Sequence, residues 1–97
     1  MTAEAKKEIM SDTLIRVQRL QRIALGWCLM QVITSVIPTG ESSICVRIIE
    51  LDEKLDILRD SLGGIVSQSF DFDEWRIEEI EENMTLLNNY MKKIGAL

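Results

Sequence analysis

Apolar residues recur at spacings of three and four along most of the chain, which is the pattern of helices with one buried face. The pattern and its interruptions predict three helices, over residues 3–37, 43–62 and 72–94. The first helix is expected to end before Pro38-Thr39-Gly40, a turn sequence in which proline also removes a backbone donor. We therefore predict an all-α fold, with a single three-helix domain over residues 1–97.

The second half of the first predicted helix is apolar on two sides. One row contains Leu20, Ile23 and Trp27, and it is expected to pack against the other helices. A single partner helix cannot cover a second row as well, so we expect a dimeric helical bundle in which that row forms the homodimer interface. The row consists of Leu25, Leu29, Val32 and Val36.

The second predicted helix has a heptad pattern, which is typical of a coiled coil. It begins at Ser42 or Ser43 and ends at Gly63-Gly64. Its apolar positions alternate spacings of four and three and are Ile44, Ile48, Leu51, Leu55, Leu58, Leu62 and Ile65.

The third predicted helix carries start and stop signals. Asp71 to Glu74 resembles a capping box, so the helix is expected to start at Phe72, and Gly95 is a stop signal. The apolar face of this helix is predicted to contain Ile77, Ile80, Met84, Leu87, Met91 and Ile94.

The charged residues exclude several chemistries. The chain has no histidine, which rules out Ser-His and Cys-His nucleophile pairs within it. Its net charge of −5 argues against direct nucleic-acid binding, which depends on lysine and arginine. The N-terminal residues are unlike a secretory signal, and the apolar stretch 23–37 is shorter than the roughly 20 residues of a membrane span. We expect a cytoplasmic protein that does not enter a membrane.

Pairs of glutamates with ExxE spacing raise the question of a metal site. Glu50 and Glu53, with the glutamates of residues 78–82, resemble in spacing the carboxylates by which all-α nucleotide pyrophosphohydrolases hold magnesium. The predicted heptad register directs Glu50, Glu53, Glu79 and Glu82 to solvent, whereas such a centre needs convergent carboxylates. We therefore expect no metal, cofactor or enzymatic activity, and a carboxylate-metal nucleotide hydrolase is the least favoured alternative.

The acidic segment, residues 71–82, contains seven acidic residues and one base, Arg76. The helix dipole accounts for the acids of the first turn. The remaining four are the candidate partner-binding face: Glu78, Glu79, Glu81 and Glu82. Arg16, Arg19 and Arg22 form a basic stripe that is expected to pair with this segment, in the same or a neighbouring subunit.

The two cysteines are predicted to be free thiols. In a helical hairpin that turns near Gly40, Cys28 and Cys45 would be offset by about 10 Å along the axis. That offset exceeds the Cα separation that a disulfide tolerates, about 4.4 to 6.8 Å.

These patterns favour a small protein–protein interaction module, acting as an adaptor, chaperone, regulator or inhibitor. We expect it to work as a homo-oligomer through its helix faces, with an unknown protein as partner. The alternative is an acidic nucleic-acid mimic, or an antagonist of a nucleic-acid-binding protein, that uses the acidic segment.

Overall fold

The computed structural model describes residues 1–97 and has an α+β fold, so the predicted all-α three-helix domain and dimeric helical bundle are wrong. The elements are α1 (Ala3–Ile23), β1 (Cys28–Val36), β2 (Ser42–Glu50), β3 (Ser67–Asp73), a 3₁₀ helix (Glu74–Glu79) and α2 (Ile80–Lys93). The three strands form an antiparallel sheet in the order β1-β2-β3. Both α-helices contribute to the core on the inner face of this sheet, and the outer face has no helix against it.

Helix α1 is shorter than predicted. Its start is capped by Thr2, whose hydroxyl accepts a 3.1 Å hydrogen bond from the Ala5 N–H. Its buried positions are spaced by three and four, as expected for one helix face, and are Met10, Thr13, Val17 and Leu20. The helix ends at Ile23, and Gly26 then adopts a φ of +87°, which allows the chain to turn into β1.

Strand β1 occupies residues that were predicted to continue the first helix. The prediction was wrong because Val32, Ile33 and Thr34 are β-branched and suit a strand better than a helix. Alternate side chains of a strand point to opposite faces, so a strand with apolar residues on both faces imitates a helix with two apolar rows.

The predicted second helix and its coiled-coil seam are also wrong. Ile44 and Ile48 are buried together because a spacing of four places both on the inner face of β2. The later heptad positions fall in the arm, residues 51–66, which contains only two isolated β-bridges. Leu62, one of those positions, is 94% exposed and cannot belong to an apolar seam.

The arm contains two turns of the same design. The Oδ1 of Asp52 accepts hydrogen bonds from the N–H groups two and four residues later, and Asp60 does the same. The residue at the third position after each aspartate has positive φ: Leu55 at 65° and Gly63 at 83°. Leucine therefore occupies a position that glycine fills in the other turn.

The third predicted helix is confirmed only in its later part. Residues 70–73 belong to β3, with Phe70 and Phe72 buried on the inner face, so the predicted start at Phe72 is wrong. Helix α2 ends just before Gly95, whose φ is +84°, as expected. Its predicted apolar face is confirmed, since four of the six positions are buried and two pack against the core: Ile80, Met84, Leu87, Met91, Ile77 and Ile94.

The core lies between the inner face of the sheet and the two helices. Its fully buried members come from both α-helices and from the sheet. They include Val17 of α1, Ile48 of β2, Phe72 of β3 and Leu87 of α2. Neither helix combines the length and the apolar character that crossing a bilayer would require.

Candidate functional site

The candidate site is the free edge of β1, the strand that pairs only with β2. Hydrogen-bonded and non-hydrogen-bonded pairs alternate along an antiparallel ladder. The Ile37 N–H donates a 2.9 Å hydrogen bond to the Glu41 carbonyl, which places the odd-numbered residues of β1 in the hydrogen-bonded pairs. The backbone groups of the even-numbered residues therefore point away from β2, toward the free edge.

Helix α1 and the turn after it provide hydrogen-bond partners for two of these groups, one at Cys28 and one at Met30. The Cys28 N–H donates to the Ala24 carbonyl at 3.2 Å, and the Gln21 side-chain amide donates to the Met30 carbonyl at 2.9 Å. The open edge consists of the Cys28 carbonyl, the Met30 N–H and both backbone groups of three further residues, Val32, Thr34 and Val36.

The open edge lacks the features by which most proteins prevent strands from pairing with other chains. Such protection comes from charged side chains, proline, bulges or a covering element. Strand β1 contains no charged residue and no proline. The opposite edge of the sheet is protected, because β3 carries Asp71 and Asp73 and the Asn83 amide donates to the Asp71 carbonyl at 2.9 Å.

Exposed apolar side chains surround the open edge. Ile33 lies on the outer face of β1 and is 55% exposed, and Trp27 in the preceding turn is 59% exposed. The four residues predicted to form one helical row all lie in this region, although not on one face. Leu25 is in the turn, Leu29 is on the outer face, and Val32 and Val36 are on the inner face.

The helical pattern of the sequence did not indicate Ile33 or Trp27 as part of this surface. That pattern placed Trp27 in the row expected to pack inside the domain. The β-branched run from Val32 to Thr34 was the signal for a strand, and in a strand Ile33 points to the face opposite Val32.

A groove runs between α1 and the last part of β1. Its volume is about 420 Å³, and it is open to solvent. Four of its eleven lining residues are apolar, and the others are polar or small. The apolar four are Met10, Leu14, Val36 and Ile44, and Thr34 and Lys7 are among the rest. A strand added to the open edge would place every second side chain on this inner side of the sheet.

Lys7 and Glu74 fix the end of the groove near the β1–β2 turn. The Lys7 ammonium donates to the Gly40 carbonyl at 2.6 Å and to the Glu74 carboxylate at 2.9 Å. Glu74 also accepts hydrogen bonds from the backbone N–H and the hydroxyl of Ser42. Hydrogen bonds lower the pKa of the Glu74 carboxyl. The largest effect comes from Lys7 and the next largest from the Ser42 backbone N–H.

Three acids of the acidic segment are engaged by other groups of the chain. Glu74 is buried against Lys7, and Asp73 accepts a 2.6 Å hydrogen bond from Ser43. Arg16 donates two hydrogen bonds to Glu81, which confirms the predicted pairing with the acidic segment for that arginine and lowers the pKa of Glu81. Of the remaining predicted face residues, Glu78 and Glu82 are exposed and Glu79 is half-buried.

The carboxylates with ExxE spacing do not converge. Glu50 is on the inner face at the end of β2, where it accepts a 2.8 Å hydrogen bond from Tyr90, whereas Glu53 lies in the arm. Glu79 and Glu82 are on the helical segment after β3. No group of three or more cysteine, aspartate or glutamate side chains is placed to hold a metal ion.

Both cysteines are free, as the sequence predicted. Cys28 lies on the inner face of the sheet and Cys45 on the outer face, so the sheet itself separates the two thiols. Burial raises the pKa of both thiols, and a hydrogen bond with Asp71 adds to the effect at Cys45.

Comparison of the chain with protein-family models, with curated proteins and with solved structures gives no match.

Proposed function

We propose that the chain is a protein-interaction module that binds by adding a strand to the open edge of β1. The observation that carries this proposal is an uncharged edge strand with free N–H and C=O groups, next to a partly apolar groove and exposed apolar side chains. Long edges of this kind are uncommon unless another chain pairs with them.

The physical basis is β-augmentation. Main-chain hydrogen bonds provide affinity in this mode, and alternate side chains of the incoming strand provide specificity. Here one set of incoming side chains would face the groove between Leu14 and Val36, and the other set would lie beside Ile33 on the outer face. Strand β1 has no charged residue and each environment contains apolar side chains, so the partner strand is expected to be uncharged and to place apolar side chains near Val36 and Ile33.

The acidic alternatives have less support. Two of the acids in the acidic segment form ion pairs within the chain, with Lys7 and Arg16. The rest divide between β3, which carries Asp71 and Asp73, and the helical segment after it, where Glu79 is half-buried. We therefore propose neither a nucleic-acid mimic nor a carboxylate-metal hydrolase.

A pair of proline variants tests strand addition. Thr34→Pro removes an N–H that points to the open edge, and Ser69→Pro removes one that points to the opposite edge, on β3. Both residues are exposed and small, so the variants differ mainly in which edge is altered. Tagged wild-type and variant chains are used to capture partners from the native host, and the captured proteins are compared by quantitative mass spectrometry.

The proposal expects Thr34→Pro to lose at least about 90% of the specifically captured partner, a loss of 1.4 kcal/mol or more in binding. Ser69→Pro should capture as much as the wild type. Equal capture by both variants, with far-UV circular dichroism unchanged, would show that the open edge is not the binding element.

A further inference from the structure

We infer that the strand which occupies the open edge belongs to a second copy of this chain, an inference that rests on the proposed function. The two copies of β1 would pair antiparallel around a two-fold axis at Ile33 and join two three-stranded sheets into one sheet of six strands. Three features of the chain support this occupant: the symmetry of the open edge, its side chains and the distribution of charge.

The open edge is symmetric about Ile33. Its outward-pointing positions run from Met30 to Val36, and Ile33 is their midpoint. An axis at that residue pairs Val32 with Thr34 of the second copy, and it pairs Val36 with Met30, whose N–H is free and whose carbonyl accepts from Gln21. The antiparallel pattern then gives about six to eight hydrogen bonds between the chains, compared with roughly ten in a typical specific interface.

The side chains are complementary in this register. On the outer face the two Ile33 side chains meet in a non-hydrogen-bonded pair, the closer of the two pair types, with a Cα separation of about 4.5 Å. On the inner face Val32 of the second copy lies beside Thr34, where the groove begins. Val32 is only half-buried in the single chain, so both contacts remove apolar surface from water.

The charges of the chain favour association at this edge despite a net charge of −5. Strand β1 has no charged side chain, whereas the acidic segment begins on β3, at the opposite edge of the sheet. Strand spacing puts β3 about 10 Å from β1 on each side of the junction. Pairing through β1 therefore keeps the two acidic segments apart, whereas pairing through β3 would bring Asp71 and Asp73 of two copies together.

Sedimentation velocity tests the oligomeric state. At about 100 μM, above the micromolar constants of many specific pairs, the wild type and Ser69→Pro are expected to sediment as dimers. Thr34→Pro should sediment as a monomer. Ile33→Lys should do the same while keeping every backbone donor, because it places two ammonium groups opposite each other on the axis. A monomeric wild type, or dimers for all four proteins, would overturn the inference.

Disulfide cross-linking tests the register. Cys45 lies opposite Ile33 within the chain, so the background carries Cys28→Ala and Cys45→Ser to prevent other disulfides. Ile33→Cys should then form a dimeric disulfide on mild oxidation, because the Cα separation at the axis lies within the range for a disulfide. The matched control is Gln31→Cys, on the same face of the same strand, whose two copies would be about 14 Å apart.

Efficient cross-linking of Ile33→Cys and at least tenfold less of Gln31→Cys supports the axis at Ile33. Equal cross-linking of the two variants would overturn it. The failure of this inference is separate from failure of the proposed function. A monomeric wild type whose capture of another protein is lost in Thr34→Pro but not in Ser69→Pro would exclude the second copy and retain strand addition.

Discussion

The ammonium of Lys7, near the start of α1, lies 2.9 Å from the carboxylate of Glu74, at the start of the 3₁₀ helix. The Glu74 side chain is only 4% exposed. It also accepts hydrogen bonds from the backbone N–H and the hydroxyl of Ser42, at the start of β2. This ion pair therefore connects three elements that are distant in sequence and fixes α1 beside the sheet, where it forms one wall of the groove.

The stability of the fold should depend on pH through Glu74. Its pKa is lower in the folded chain than the ordinary value of 4.5, so the folded state binds fewer protons there than the unfolded state. The contribution of Glu74 to stability is complete above pH 4.5 and is lost as the pH falls through the lower, folded value. Urea denaturation between pH 7 and pH 3 should show a smaller decline in the free energy of unfolding for Glu74→Gln than for the wild type.

Glu78→Gln is the matched control for this experiment, because Glu78 is exposed and forms no ion pair. It should follow the wild-type pH profile. Lys7→Met should reduce stability at pH 7, because it leaves the Glu74 carboxylate with only the Ser42 hydrogen bonds. The same pH profile for wild type and Glu74→Gln would contradict the assigned role of this ion pair.

Tyr90, the only tyrosine, should ionise at unusually high pH. Two causes raise its pKa to about 12: burial has the larger effect, and the hydrogen bond to Glu50 has the next largest. The stabilisation that this interaction provides is complete below the unfolded pKa of about 10 and is lost as the pH rises toward 12. Absorbance at 295 nm should show about one tenth of the phenol ionised at pH 11, compared with about nine tenths in the urea-unfolded chain. Glu50→Gln should lower the midpoint, and an unchanged midpoint would exclude a contribution from Glu50.

The core and the arm should respond differently to loss of a large apolar side chain. Phe72 is fully buried, so Phe72→Ala should reduce the free energy of unfolding by about 3 to 5 kcal/mol. Leu62 is exposed, so Leu62→Ala should change it by no more than about 0.5 kcal/mol. Chemical denaturation measures both values. A loss of 2 kcal/mol or more for Leu62→Ala would contradict the exposure of this side chain.

Leu55 should tolerate, and benefit from, replacement by glycine. Its φ of 65° is unfavourable for leucine by roughly 1 to 2 kcal/mol, and glycine already fills the same position of the other turn in the arm, at Gly63. Leu55 is exposed, so the substitution removes little packing. We expect Leu55→Gly to leave the unfolding free energy unchanged or to raise it by up to about 1 kcal/mol, because glycine also adds entropy to the unfolded chain. The opposite substitution, Gly63→Leu, should be destabilising in the same denaturation assay.

The sequence alone determined the features that depend on neighbouring residues. The start of α1 at residue 3, the turn at Pro38 and the end of α2 before Gly95 follow from local backbone chemistry, and all three are present. The apolar face of α2 also follows from periodicity, because Ile80, Met84 and Leu87 satisfy the helical spacing and no strand pattern.

Only the tertiary structure decided the state of residues 28–50. Spacings of four place residues on one face of either a helix or a strand, so the spacing of Ile44 and Ile48 fits both. A strand is stable here because most backbone groups of β2 find partners in β1 or β3, and the paired residues are up to 30 positions apart in the chain. The hydrogen bonds of a helix join residues four positions apart, whereas those of this sheet join residues that are distant in the chain.

At the candidate site, too, the sequence determined one part and the tertiary structure decided the rest. The sequence identified Leu25, Leu29, Val32 and Val36 as apolar positions without enough partners inside one chain, and that property follows from composition and spacing. It could not show that an open strand edge connects them, since the direction of each N–H and C=O follows from the pairing register of β1 with β2. The register is a property of the assembled sheet, and it alone determines which backbone groups remain free for another chain.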